Sequence, residues 1–274
     1  MNFRAVTFSA AAAAATIILT GCCNHAYDCK FDVGTPSAKV SVSKAKAKVK
    51  VDGVIDAKEW AGASIYNLDR TYRFTPEYST PAKVYAHTSK KGKDVEPFQG
   101  GTVRFMYDKD NLYVAAQLTD TDIMQFATEN QGKSQGTGDD LAIYLKPANS
   151  PSYWEFHGTP NGKMSSFFIP TRGYPANPNA TTVIPGMKVA SKFQKTLNDY
   201  SDEDKGWTIE FAIPLKQLKK AGAVFKPGSA WTVLIGRINY NYNVKDVEPQ
   251  YSTCPETPSN GFHNIEYYAD IIWK

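Results

Sequence analysis

VRFMYDKDNLYVAAQLTD, residues Val103 to Asp120, holds two runs rich in apolar, β-branched and aromatic residues, Val103–Tyr107 and Leu112–Leu118. Between them lie Asp108, Lys109, Asp110 and Asn111. A short cluster of polar turn formers between two such runs predicts a β-hairpin. Pro160-Asn161-Gly162 repeats the pattern between Tyr153–His157 and Lys163–Ile169. Further strands are predicted over Ala82–His87, Asp139–Leu145, Met187–Gln194, Trp207–Ile213, Trp231–Asn239 and Tyr267–Trp273. Helical signal is confined to Asp56–Trp60 and Leu215–Lys220. About ten strands joined by hairpins, with one or two short helices, predict an all-β, antiparallel, jelly-roll-like β-sandwich over residues 39–274. No internal repeat interrupts it.

Val40–Val51 alternates strictly, with Ser41, Ser43, Ala45, Ala47, Val49 and Val51 on one side and Lys44, Lys46, Lys48 and Lys50 on the other. This predicts a strand with a lysine face. Lysines on a sheet edge discourage pairing with a second chain, so an edge strand is expected.

At the N-terminus, Arg4 precedes an apolar run from Ala5 to Leu19 and then Leu19-Thr20-Gly21-Cys22. The run is short for a membrane span and ends in small residues before a cysteine, the pattern of a bacterial lipoprotein signal over residues 1–21. Cleavage leaves Cys22 as the lipidated N-terminus, and several acyl chains hold a protein stably on a bilayer. Cys23 stands where an inner-membrane retention Asp would, so an outer-membrane anchor is expected. Residues 22–38 lack periodicity and read as a flexible tether. Cys23, Cys29 and Cys254 then remain in an oxidising compartment, with Cys29–Cys254 and Cys23–Cys254 both open as pairs.

The chain has 274 residues and a formal net charge of +4, with charges of both signs spread along it, which gives no case for nucleic-acid binding. Aromatic residues make up 13%. Sixteen Tyr and five Trp supply flat apolar faces with polar edges, suited both to a sandwich core and to stacking on sugar rings. Trp60, Trp207, Trp231 and Trp273 sit in apolar patterns and are expected in the core. No GxSxG, HExxH or phosphate-loop motif is present.

Five phrases in order, VDGVIDAKEW (51–60), Val103–Asp120, GDDLAIYLKP (138–147), GWTIEFAIPLKQL (206–218) and FHNIEYYADIIW (262–273), resemble the carbohydrate-binding family 9-like domains of the DOMON-like β-sandwich superfamily. The resemblance covers residues 40–273. It implies a non-catalytic domain that binds oligo- or polysaccharide, supporting polysaccharide catabolism beside glycan-degrading enzymes. Sugar recognition needs an aromatic platform beside planar polar groups that bond paired hydroxyls. Strand alternation turns Trp154 and Phe156 inward and places Tyr153, Glu155 and His157 on the other face. Trp231, Val233, Ile235, Arg237 and Asn239 share one face of their strand, and an Arg and a Glu on a common sheet face form either a binding pair or a salt bridge.

The resemblance implies ligand roles for Glu155, His157 and Arg237, with Asn239 beside Arg237, and for Tyr251, with Tyr240 and Tyr242 in reserve. It also implies a Trp shortly before the GDD phrase and a Glu in the strand after it. Here Gly132–Gly138 and Ala142 occupy those places. Either an aromatic such as Tyr72, Phe74, Tyr78 or Tyr174 substitutes from a different loop, or the ligand differs from that of the known binders. Calcium is a recurrent accessory of the fold, for which Asp120, Asp122, Asp139 and Asp140 are the candidate oxygen donors. Two alternatives accompany this reading. A haem b electron-transfer domain would draw ligands from His157, His263, Met106 and Met164. A glycoside hydrolase would need two carboxylates across a cleft, nominally from Glu155, Glu210 and several Asp. Glu210 is also expected as a buried partner of Arg237 or Arg104.

Overall fold

The computed structural model describes residues 38–70, 87–88, 94–96, 98–132, 134, 136–172, 182–219, 224–240, 249–257 and 261–274. The signal segment, the tether, Cys22, Cys23 and Cys29 therefore lie outside the described residues, as do Tyr72, Phe74, Tyr78, Tyr174 and Tyr242.

In chain order the strands are β1 (Lys39–Lys44), β2 (Ser64–Arg70), β3 (His87–Thr88), β4 (Asp94–Glu96), β5 (Gly101–Tyr107), β6 (Asn111–Leu118) and β7 (Asp140–Pro147). They continue as β8 (Tyr153–Gly158), β9 (Met164–Ile169), β10 (Lys188–Phe193), β11 (Trp207–Pro214), β12 (Trp231–Asn239), β13 (Gln250–Cys254) and β14 (Ala269–Trp273). Single 3-10 turns occupy Leu215–Gln217 and Ile265–Tyr267. Asp56–Trp60 is a turn rather than a helix, closed by the Trp60 amide donating to the Asp56 carbonyl at 3.0 Å.

A front layer runs β9-β8-β7-β12, flanked by β13 and β14, and a back layer runs β10-β11-β6-β5, all antiparallel. Two strands join the layers. β2 pairs with β5 and, at its end, with β13. β1 pairs in parallel with β14 and, further along, in parallel with β5. The predicted sandwich is thus present, with parallel seams that alternation along single strands does not report.

β1 also corrects the reading of Val40–Val51. It ends at Lys44, points Val40 and Val42 into the core, and has neighbours on both sides, so it is no edge strand. The chain then leaves the ladder. Ala45, Val49 and Val51 join Trp60 in covering the outer face of the back layer at Met106, Tyr113, Ala115 and Ala212. Apolar alternation satisfied a loop lying flat on a sheet as well as it would have satisfied a strand.

The main core lies between the layers. Leu141, Ile143, Leu145, Trp154, Phe156, Trp231, Val233 and Ile235 face Val103, Phe105, Val114, Trp207, Ile209 and Phe211. Each large side chain removed from water there stabilises by about 1.5–3 kcal/mol. Cys254 belongs to this core at 3% exposure, and its expected partners Cys23 and Cys29 lie outside the described residues.

Candidate functional site

The carboxylate of Glu210 points away from that core. It accepts from the backbone N–H groups of Asp52 (3.0 Å) and Gly53 (2.8 Å) and from Trp60 Nε1 (2.8 Å). It thereby pins the Asp52-Gly53 turn against the back layer. Gly53 has φ +83°, and a Cβ there would lie 2.6 Å from the Ser191 carbonyl carbon, so the turn tolerates only glycine. Glu210 is a turn anchor, partnered with neither Arg237 nor Arg104.

Arg237 is likewise internal. Its register partner is Leu141, a core residue, so its side chain faces the back layer while Glu155 and His157 face outward. The guanidinium is fully buried. It donates to the carbonyls of Gln99 (2.7 Å), Gly100 (3.1 Å) and Thr119 (2.8 Å), to Asp120 Oδ2 (3.0 Å) and to Asn239 Oδ1. It ties the end of β12 to both ends of the β5–β6 hairpin. The expectation of Arg237 and Asn239 as ligand contacts on the Glu155 face is corrected by this register: alternation gave the shared face of β12, and that face is the inner one.

The four aspartates nominated for calcium do not converge. Asp139 and Asp140 are consecutive and turn to opposite sides. Asp139 is completely buried, accepting from the Met124 amide (2.7 Å) and the Tyr240 amide (2.8 Å). Burial, reinforced by the charge of Asp120, pushes its carboxyl well above the usual range. Asp120 accepts from Arg237, from Trp207 Nε1 (3.1 Å) and from the amide of Asp122, itself buried. Oxygens facing N–H donors do not suit a cation that needs six or more oxygen ligands. Among the described residues no group of three or more His, Cys, Asp and Glu side chains is arranged to hold a metal.

The outer face of the front layer is different. Register places Ser165, His157, Ala142, Gly236 and Thr253 in one row across five strands, and Phe167, Glu155, Tyr144 and Leu234 in the next. His157 sits between two carboxylates: Nδ1 is 2.7 Å from Asp140 Oδ1, and Nε2 is 2.7 Å from Glu155 Oε1. The Tyr144 hydroxyl donates to the same Glu155 oxygen at 3.2 Å. Burial disfavours the imidazolium, but the two carboxylates outweigh it and push His157 up to about 10. Burial would raise Glu155, yet bonding to His157 holds it below its ordinary value. The group is thus an imidazolium flanked by two acidic side chains.

One oxygen remains on each side. Asp140 Oδ2 is buried without a hydrogen-bond partner, and Glu155 Oε2 has none among the described residues, its side chain being 10% exposed. Buried acceptors are nearly always bonded, so an unmet one marks a place where a further donor belongs.

Aromatic side chains stand around this relay. Phe167 meets the His157 ring edge-on at 5.9 Å. Tyr144, Tyr153, Phe262 and Tyr268 form a packed cluster, with His263 exposed at its rim and 2.7 Å from the Tyr153 hydroxyl. Tyr251 lies on this face against Phe262, ring centroids 6.0 Å apart. Gly236 permits Phe262 to approach, since a Cβ there would lie 2.7 Å from the ring. The structure therefore brings together Glu155, His157, Asp140 and Tyr251, and separates them from Arg237, Asn239, Asp120 and Asp139. Phe262 and Tyr268 were missed by sequence reasoning, which named His263 only as a haem ligand, although the aromatic density of FHNIEYY was a visible signal. Tyr240 sits beside the Gly-rich stretch before the GDD phrase, its hydroxyl 3.9 Å from where a Gly136 Cβ would be.

Some of the residues named for the two alternatives are held apart. Both nitrogens of His157 are engaged, and Met106 is buried on the opposite outer face of the sandwich. Glu155 and Glu210 likewise occupy opposite outer faces.

No protein-family model matches the chain, and neither does any curated protein. Solved structures do. A candidate carbohydrate-binding protein from Bacteroides uniformis superposes with a TM-score of 0.64 at 11% identity, over 87% of this chain and 100% of that one. A carbohydrate-binding module of family 9 from Caldicellulosiruptor kristjanssonii, in complex with cellotriose, gives 0.53 at 14% identity over 86% and 93%. The same organism's family 9 module in complex with glucose gives 0.50 at 14% identity over 86% and 95%. The fold is that of the family 9 carbohydrate-binding modules.

Proposed function

We propose that this chain is a non-catalytic carbohydrate-binding lipoprotein that holds oligo- or polysaccharide at the outer face of the front layer. The observation that carries the reading is the Asp140–His157–Glu155 relay, with one oxygen of each carboxylate unmet, beside Tyr144, Tyr251 and Phe262. Fixed planar acceptors next to aromatic rings are what a pyranose requires, with hydroxyls bonded at its edge and C–H groups packed at its face. Structural neighbours that hold cellotriose and glucose support the same class of ligand. The carboxylates are bridged by an imidazolium rather than set across a cleft, which favours binding over hydrolysis.

The lipobox at Leu19–Cys22 supports anchorage through Cys22 in the cell envelope, on the outer membrane, where the domain would retain glycans for degrading enzymes. The test is a glycan array with detergent-solubilised full-length protein, wild type against Glu155→Ala, after recording its visible spectrum. Binding by a colourless wild type and loss in the variant supports the proposal. A Soret band with a silent array rejects it in favour of haem. Palmitate labelling that survives Cys22→Ser would reject the anchor.

A further inference from the structure

The proposed sugar site has a chemical polarity that narrows its ligand, and the inference rests on that reading of the front face. Among the described residues, several of its donors are engaged internally. Both N–H groups of His157 face carboxylates, the Tyr144 hydroxyl donates to Glu155, and the Tyr268 hydroxyl donates to the Phe262 carbonyl at 2.8 Å. Tyr153 is bonded to His263, and the hydroxyls of Ser165 and Thr253 lie 3.4 Å from those of Ser134 and Thr257. Two cations among the described residues, Lys146 and Arg172, are held as well. Lys146 Nζ donates to the carbonyls of Pro147 (3.0 Å), Ala148 (3.0 Å) and Ser150 (3.1 Å), and Arg172 pairs with Glu266 at 2.6 Å.

What remains is acceptor capacity on a group with two carboxylates and one imidazolium, hence one net negative charge. Asp140 Oδ2 is the buried, unpartnered oxygen, and Glu155 Oε2 belongs to a side chain that is 10% exposed. The row beside them is floored by Ala142 and Gly236, neither of which carries a polar side-chain group. Among the described residues neither carboxylate is paired with a Lys or Arg, and His157 alone offsets their charge.

We propose that this site selects glycans by charge, taking rings that present hydrogen-bond donors, either hydroxyls or a protonated amine, and excluding rings that carry a carboxylate or sulfate at the contact. Hydroxyl protons and ammonium protons can be drawn to Glu155 Oε2, with the unmet Asp140 Oδ2 adding negative potential behind it. An anionic substituent would face them with no donor of its own, and like charges brought together in a partly desolvated site repel strongly.

The test uses the detergent-solubilised full-length protein at pH 7 on an array with neutral, free-amine and acidic (uronate or sulfate) members of the same glycan backbones, with titration of each backbone that binds. Acidic members should bind at least about tenfold more weakly than their neutral counterparts, and free-amine members as well or better. Raising salt should narrow the gap, because screening weakens interactions between partly exposed charges. Glu155→Gln keeps the shape, removes one charge and should also narrow it. Acidic members that bind as well as neutral ones would overturn charge selection and leave carbohydrate binding standing. Silence across all three classes would overturn both. The wild-type comparison decides the matter even if the variant does not fold.

Discussion

Arg237 and Glu155 occupy opposite faces of one sheet: the guanidinium points between the layers and bonds the ends of the β5–β6 hairpin, while the carboxylate points outward to His157. Each end of the sheet's chemistry is thereby assigned. The inner charge cluster fastens the two layers together, and the outer one lies on the face proposed to meet a ligand.

Arg237→Ala would remove a cation that meets three carbonyls and leave Asp120 buried opposite a void. Breaking one partner out of a buried pair costs about 3–5 kcal/mol. Urea unfolding should show a loss of that size. A change below about 1 kcal/mol, together with lost glycan binding, would return Arg237 to the ligand site.

His157 gives a pH dependence whose sign follows from its neighbours. Its folded value of about 10 lies above the ordinary imidazole value of 6.5. The stability it contributes is fully present below about 6.5 and is lost as pH rises toward 10. Glu155, held below its ordinary value by His157, contributes above the usual carboxylate range and is lost as pH falls through its lowered folded value. A stability plateau between these windows is expected, and His157→Gln should flatten the alkaline limb. An NMR titration that finds His157 neutral at pH 8 would contradict the relay.

Much of this arrangement was legible in the chain. Strands β5 to β9, β11 and β12 begin and end within one or two residues of where alternation and turn residues put them, because both signals are local. The GWTIEFAIPLKQL and VDGVIDAKEW phrases contribute to one device, since Glu210 of the first meets Gly53 and Trp60 of the second. Two kinds of information were not local. SIYNLDR and QYSTC carry few apolar residues and become strands β2 and β13 through pairing across the layers. Alternation also says which residues of β12 travel together without saying which side is in. That needs the register of Arg237 opposite Leu141, a relation between residues far apart in sequence. Glu155 and His157 were placed correctly because Trp154 and Phe156, bulky and apolar, can only face the core.

Glu210→Gln should loosen the cover over the back layer. The carboxylate takes three N–H donors, and an amide offers one acceptor oxygen and a donor that faces them. A buried donor left unmet costs about 1–3 kcal/mol. Thermal unfolding should show that loss, with amide exchange accelerated at Asp52 and Gly53. Because the site lies on the other layer, affinity for a bound glycan should be unchanged in the folded protein. A selective loss of affinity with stability retained would mean that the back layer takes part in binding.

Gly236→Ala tests the front face by steric means alone. The added methyl would stand 2.7–2.9 Å from three carbons of the Phe262 ring, closer than carbon atoms pack. Phe262 is 7% exposed and touches both Tyr144 and Tyr251, so its displacement should spread through the aromatic cluster. Overpacking of this kind costs about 1–3 kcal/mol, seen as a lower unfolding midpoint. The more telling readout is glycan affinity, which should fall because Tyr251 loses the ring that positions it, while the relay remains intact and His157 keeps its raised pKa. Phe262→Leu in the same background gives the methyl room and should recover stability without recovering affinity. Recovery of both would show that the ring itself contributes nothing to the ligand, and that the site is the charged relay alone.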